Sequence, residues 1–203
     1  MASTRLRFPA DGVVLDACAV MRLFKCGSVS ALKGFTSLHI AAHVETELGR
    51  AGHSQRTALA RLGAIKHPVV PGSAEWDAFC VLRGGEFSTA DLGEDESLAI
   101  CLAEARKGRF LPLVTFDRGA AKKAIANGVP TLDFLALLSW LVACGKLTSE
   151  EADAIEASAS ALNGWKRPAG YNGGLASVAV ALRDATGTAL HAWKLKHRPK
   201  ASR

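Results

Sequence analysis

The sequence predicts an α/β fold in which a mostly parallel sheet lies between two helical layers. Three observations carry this expectation. Short apolar runs such as GVVLD and LPLVTF read as strands buried on both faces, amphipathic segments of helical period separate them, and the two kinds of segment alternate along the chain. Parallel neighbours need long crossover connections, and helices of this length supply them.

Taken in order, GVVLD (12–16) is the first strand and ACAVMRLFK the helix behind it. SLHIAA (37–42) is a second strand, followed by HVETELGR and HSQRTALARLG, both with helical spacing. HPVVPG interrupts with two prolines and a glycine, after which SAEWDAFCVLR resumes a helix behind a serine cap and RGGEFSTADLG forms a loop. From residue 94, EDESLAICLAEARKG sets Leu98, Cys101, Leu102 and Ala105 on one face and stops at Gly108. LPLVTF is the next strand, DRGAAKKAIANG a helix with an acidic start and a glycine stop, and VPTL a brief strand feeding the LDFLALLSWLVACG helix. TSEEADAIEASASALNGW opens with a capping-box pattern, Thr148 or Ser149 with Glu151 close behind. KRPAGYNGG (166–174) is a linker by composition, and the segment after it fits either a hairpin turning at DATG or two short helices. The expected organisation is one domain over 1–165 and a C-terminal extension with a basic tail over 166–203.

A chain of 203 residues with 49% hydrophobic content fills one core and a modest appendage. MASTRLRFPADG has no apolar segment behind its arginines, and LDFLALLSWLVACG is short for a membrane span and carries Asp133. A soluble, cytoplasmic protein that does not enter a membrane is expected. Five cysteines, at 18, 26, 80, 101 and 144, match neither a zinc motif nor a disulfide framework, so reduced thiols are expected. Five of the positive charges behind the net +6 are Lys194, Lys196, Arg198, Lys200 and Arg203, so the basicity belongs to the tail.

The acids are more informative. Two strand candidates end on an aspartate, Asp16 and Asp117, and in a parallel sheet both would meet at the crevice outside the strand C-termini, where ligands bind. Two further acidic places open helices: Glu45 and Glu47, and Glu94, Asp95 and Glu96. Each alone has an ordinary explanation, because aspartates cap helices and the helix dipole favours acids in the first turn. Four carboxylates in one crevice would repel at roughly 4 kcal/mol per pair for charges about 4 Å apart at an effective dielectric near 20, and call for a counter-charge. Mg²⁺ or Mn²⁺, hard cations that take oxygen ligands together with substrate phosphates, answer that need.

These residues resemble the PIN-domain ribonucleases, among them the VapC-like toxins of type II toxin–antitoxin systems, over roughly residues 12–165. Asp16 in VVLDACAVM falls on the family's first acid, Glu47 in VETEL on the second, Glu96 in LGEDESLAICLA on the third and Asp117 in VTFD on the fourth. Glu45 competes with Glu47, and Asp95 with Glu96; adjacent helical residues are rotated by about 100°, so only one of such neighbours points inward. The family often has Ser or Thr directly after the first Asp, where this chain has Ala17 and Cys18.

The resemblance implies a PIN-like fold and an endoribonuclease that leaves a 5′-phosphate and a 3′-hydroxyl, with Asp16, Glu47, Glu96 and Asp117 as catalytic acids. It implies Mg²⁺ or Mn²⁺ held by Asp16, Glu96 and Asp117, a cognate antitoxin and a homodimer. Thr115 is expected to orient Asp117, and Arg118, Lys122 and Lys123 to contact the RNA backbone. The rival reading is a PIN-like module that binds RNA or protein without cutting. Other chemistries lack their motifs: there is no G-x-S-x-G elbow, no G-x-x-x-x-G-K-[ST] loop, and Cys18 stands where an aspartate-nucleophile phosphatase has its second Asp. His39 and His43 are spaced for zinc, but on a segment that reads as strand turning into helix.

Overall fold

A computed structural model describes residues 12–84, 90–109, 111–143 and 145–163. Five parallel strands form one sheet in the order β3-β2-β1-β4-β5. They are β1 (Val13–Leu15), β2 (Leu38–Ala41), β3 (Ile65–His67), β4 (Leu113–Val114) and β5 (Thr131–Leu132). The helices are α1 (Ala17–Lys25), α2 (Ala42–Ala51), α3 (His53–Arg61), α4 (Ala74–Arg83), α5 (Leu92–Arg106), α6 (Arg118–Ala126), α7 (Phe134–Ala143) and α8 (Ser149–Asn163). The expected class, a parallel sheet inside an α/β/α arrangement, is the one observed.

β1 sits at the centre because it is apolar on both faces: Val13, Val14 and Leu15 are fully buried, paired to β2 on one side and β4 on the other. Its entry needs a glycine. Gly12 has φ 106°, and a Cβ there would lie 2.0 Å from Ser37 Oγ. On one side α5 packs across β1, β2 and β4 with α4 against it, while α8 ties α1 to α7. α7, whose Phe134, Leu135, Leu137, Leu138 and Leu141 are buried, is the core helix that its apolar sequence predicted. No helix among the described residues is long and apolar enough to cross a membrane.

Local signals place the other boundaries. Ser73 Oγ accepts from Trp76 N–H at 3.0 Å, which is the serine cap of α4. Thr148 and Glu151 form the capping box reciprocally, Thr148 Oγ1 accepting from Glu151 N–H at 3.1 Å and Glu151 Oε2 from Thr148 N–H at 2.8 Å. The four described cysteines form no disulfide. One strand went unread in the sequence. β3 is a three-residue edge strand, IKH, with Ile65 47% exposed, so it has no apolar run to announce it. The capped helix of 149–163 closes the described chain; the linker, the extension and the basic tail lie outside the described residues.

The strand order reverses between β1 and β4: β2 and β3 follow outward on one side, β5 on the other. Such a switch point opens a crevice at the strand C-termini. Asp16 ends β1 there and Asp117 follows β4.

Candidate functional site

Asp16 and Asp117 occupy equivalent places, each at the N-cap position of the helix that leaves its strand, yet their side chains do different things. Asp117 caps: its Oδ1 accepts from Gly119 N–H at 2.6 Å and Ala120 N–H at 3.0 Å, satisfying two donors that α6 leaves open. Asp16 makes no cap bond to α1. Its Oδ2 instead accepts from Thr115 Oγ1 at 2.7 Å, across 99 residues of sequence, and from Cys18 Sγ at 2.9 Å. Asp16 is 8% exposed while Asp117 is exposed. The ordinary helix-cap explanation therefore holds for Asp117 and fails for Asp16.

Thr115 corrects an expectation. Its hydroxyl orients the carboxylate of Asp16, and it touches Asp117 only by accepting that residue's backbone N–H at 3.2 Å. Cys18 joins the same group, 3.4 Å from Thr115 Oγ1, with Phe116 N–H donating to its sulfur at 3.3 Å. Burial, then the charge of Asp16, push the Cys18 thiol up to about 12, so the thiol keeps its proton as a donor.

The alternatives left open in the helices are resolved by cross-chain partners. Glu45 pairs with Lys66 and, at 3.9 Å, with Arg56, so it faces cations of β3 and α3. Glu47 lies over the start of α5, where a Cβ on Gly93 would come within 2.7 Å of its Oε1; only a glycine lets the carboxylate rest there. Asp95 is tied to Arg83 of α4, with Nε 2.7 Å from Oδ2, and to Lys123 of α6. Glu96 turns to α2, its Oε2 accepting from His43 N–H at 3.2 Å and its Oε1 meeting His43 Nδ1 at 2.7 Å. Lys123, expected to face a nucleic-acid backbone, is thus engaged with buried Asp95. Arg118 and Lys122 remain exposed on α6.

The electrostatics join residues from four elements. Glu47 is raised above the ordinary carboxylate range by burial and then by Asp16, with Glu96 also raising it and His43 and Arg50 opposing. Glu94 is pushed up to about 7, first by burial; Lys123 lowers it, while Asp91, Asp16 and Asp95 raise it. Asp16 is the charge that both feel. Sequence reasoning passed over Glu94 in favour of Glu96, and only the run of three acids in LGEDES marked it. His43, considered there only as a zinc ligand, proves to be the partner of Glu96.

The donor set suits a hard divalent cation: oxygen ligands only, an excess of negative charge, and an Asp16 oxygen, Oδ1, that accepts no hydrogen bond among the described residues. No group of three or more His, Cys, Asp or Glu among the described residues is arranged to hold a metal ion directly.

A raised carboxylate stabilises the fold below its unfolded value and loses that contribution as pH rises through its folded value. Between about pH 4.5 and about pH 7, Glu94 is therefore expected to lower the thermal stability of the metal-free protein; Glu47, also raised, acts in the same direction. His67, held below its ordinary value chiefly by burial, acts in the opposite sense as pH falls below 6.5. Thermal unfolding of Glu94→Gln against the unaltered chain isolates the first effect: the fall toward pH 7 should shrink. An identical pH profile would remove Glu94 from the acidic group.

Comparison of the chain with protein-family models, with curated proteins and with solved structures yields no match.

Proposed function

We propose that the chain is a metal-dependent endoribonuclease of the PIN type, acting at the acidic crevice between β1 and β4, with Mg²⁺ or Mn²⁺ as cofactor. One observation carries the reading: Asp16, buried and turned away from the helix it could cap, stands at the switch point of a parallel sheet, where its charge adds to the burial that raises Glu47 and Glu94. The order of Asp16, Glu47, Glu96 and Asp117 along the chain supports it. A bound cation supplies Lewis-acid polarisation of the scissile phosphate and a more acidic water.

In this reading Asp16 would hold the cation, while Thr115 and Cys18 keep its Oδ2 in place. Glu94, pushed up to about 7, would lose its proton more readily beside a cation. Glu47 and Glu96 contribute the remaining negative charge, and His43 holds Glu96 in position. Asp117 retains an oxygen, Oδ2, that accepts no hydrogen bond among the described residues. Arg118 and Lys122, exposed on the helix that begins there, would meet the phosphates of an RNA strand. The toxin of a toxin–antitoxin pair is the biological setting we favour, with a cognate antitoxin and a homodimer as partners.

Incubation with RNA is the direct test. Cleavage with Mn²⁺ that stops under excess chelator is the expected outcome, and cleavage that survives chelation would exclude the mechanism. A second reading, a PIN-like module that binds RNA or protein without cutting, is favoured by the cap made by Asp117 and by the lack, among the described residues, of a direct three-ligand group. Calorimetric titration with Mn²⁺ separates the two, because uptake that depends on Asp16 belongs to the enzyme.

A further inference from the structure

We propose that Cys18 is a positioning residue which, with Thr115, occupies one oxygen of Asp16 and thereby reserves the other for the cation. The inference rests on the metal-site reading above and specifies how that site is built in this chain.

Both donors converge on a single atom: Thr115 Oγ1 lies 2.7 Å and Cys18 Sγ 2.9 Å from Asp16 Oδ2. A carboxylate oxygen offers two lone-pair directions, so two donors fill Oδ2. Oδ1 accepts no hydrogen bond among the described residues, and the α1 N-terminus does not take it. The carboxylate is therefore divided between a protein-facing and a ligand-facing oxygen. With only one donor, the carboxylate would be free to rotate and exchange its oxygens.

The thiol has a second attachment. Its sulfur accepts Phe116 N–H at 3.3 Å and lies 3.4 Å from Thr115 Oγ1. Cys18, in the first turn of α1, thus bridges the end of β1 to the segment between β4 and α6. The distance between the two sides of the crevice is set partly through that sulfur. Partners of this kind typically change metal affinity by about 10–100-fold when removed.

The test uses the full chain and Mn²⁺ alone. Calorimetry is expected to show Cys18→Ala binding Mn²⁺ roughly tenfold more weakly than the unaltered protein. Cys18→Val, similar in volume and lacking a donor, should repeat the loss, and Cys18→Ser, which keeps a donor, should recover most of it. Thermal unfolding of each variant separates lost binding from lost folding. Infrared spectroscopy reads the contact without metal: the Cys18 S–H band, isolated by difference against Cys18→Ala, should sit at low frequency and move when Asp16 becomes Ala. If Cys18→Val binds Mn²⁺ as tightly as the unaltered chain, the positioning role is overturned. If no form binds Mn²⁺ while the S–H band still responds to Asp16→Ala, the metal reading fails and the clamp on Asp16 stands.

Discussion

Asp16→Asn is expected to reduce Mn²⁺-dependent RNA cleavage by about a thousandfold or more, equivalent to about 4 kcal/mol of transition-state stabilisation, while the fold survives. Asparagine is nearly the same shape, and its amide oxygen can accept from Thr115 and Cys18 as Oδ2 does now. What disappears is the charge. Burial is the main cause of the raised Glu47 and Glu94 and the Asp16 charge adds to it, so removing that charge should lower both in part and leave the metal-free protein as stable as before, or more so. A cleavage assay and a thermal melt without metal check the two halves separately. Asp117→Asn is the informative companion: an asparagine still caps α6, so a comparable loss of cleavage there means that Asp117 contributes its charge as well as its cap. Unchanged cleavage by Asp16→Asn would end the nuclease proposal.

Arg83→Met is expected to destabilise the protein by about 3 kcal/mol, enough to lower the melting temperature by roughly 6–12 °C in a chain of this size. The Asp95 side chain is only 3% exposed and is neutralised from two sides, by Arg83 and by Lys123. Removing the guanidinium leaves a buried carboxylate with half its compensation, whereas methionine keeps much of the packing over the Phe79 ring, 5.1 Å from Arg83 Cζ. Arg83 also donates to Ala90 O, just before α5 begins. Its loss should therefore loosen the helix start that carries Glu94 and weaken Mn²⁺ uptake beyond what stability explains. Adding Asp95→Asn to Arg83→Met should restore part of the lost stability, since the orphaned charge is then gone. Chemical denaturation measures both steps, and a change below about 1 kcal/mol for the single variant would mean that Lys123 suffices alone.

The two variants probe opposite treatments of buried acid in one small region. Asp95 is neutralised by protein cations and serves the joining of α4, α5 and α6. Asp16, Glu47 and Glu94 are left with a net excess of negative charge. Sequence-adjacent acids thus do unlike jobs, and Asp95 and Glu96 show how sharply the division falls: one faces Arg83 and Lys123, the next faces His43.

Local chemistry was sufficient for much of the fold. The doubly buried run of β1, the glycine stop of α5, the serine cap of α4 and the Thr148–Glu151 box all depend on residues a few positions apart, so pattern and spacing determine them; the one-faced stripe expected of α5 does not hold, because that helix is packed between the sheet and α4 and is buried on nearly every side. β3 escaped because an edge strand with a lysine in its middle needs no apolar run. The roles of the acids depended on tertiary structure. Asp16 and Asp117 follow similar strands and precede similar helices, and the pattern around them does not say which carboxylate caps its helix and which turns away from it. A hydroxyl 99 residues away made the difference for Asp16, and a place between cations of two other helices made it for Asp95. Sequence alone determined where the carboxylates stand along the chain; only the packed structure decided which of them receive a counter-charge, because compensation of a buried charge comes from whatever the fold brings against it.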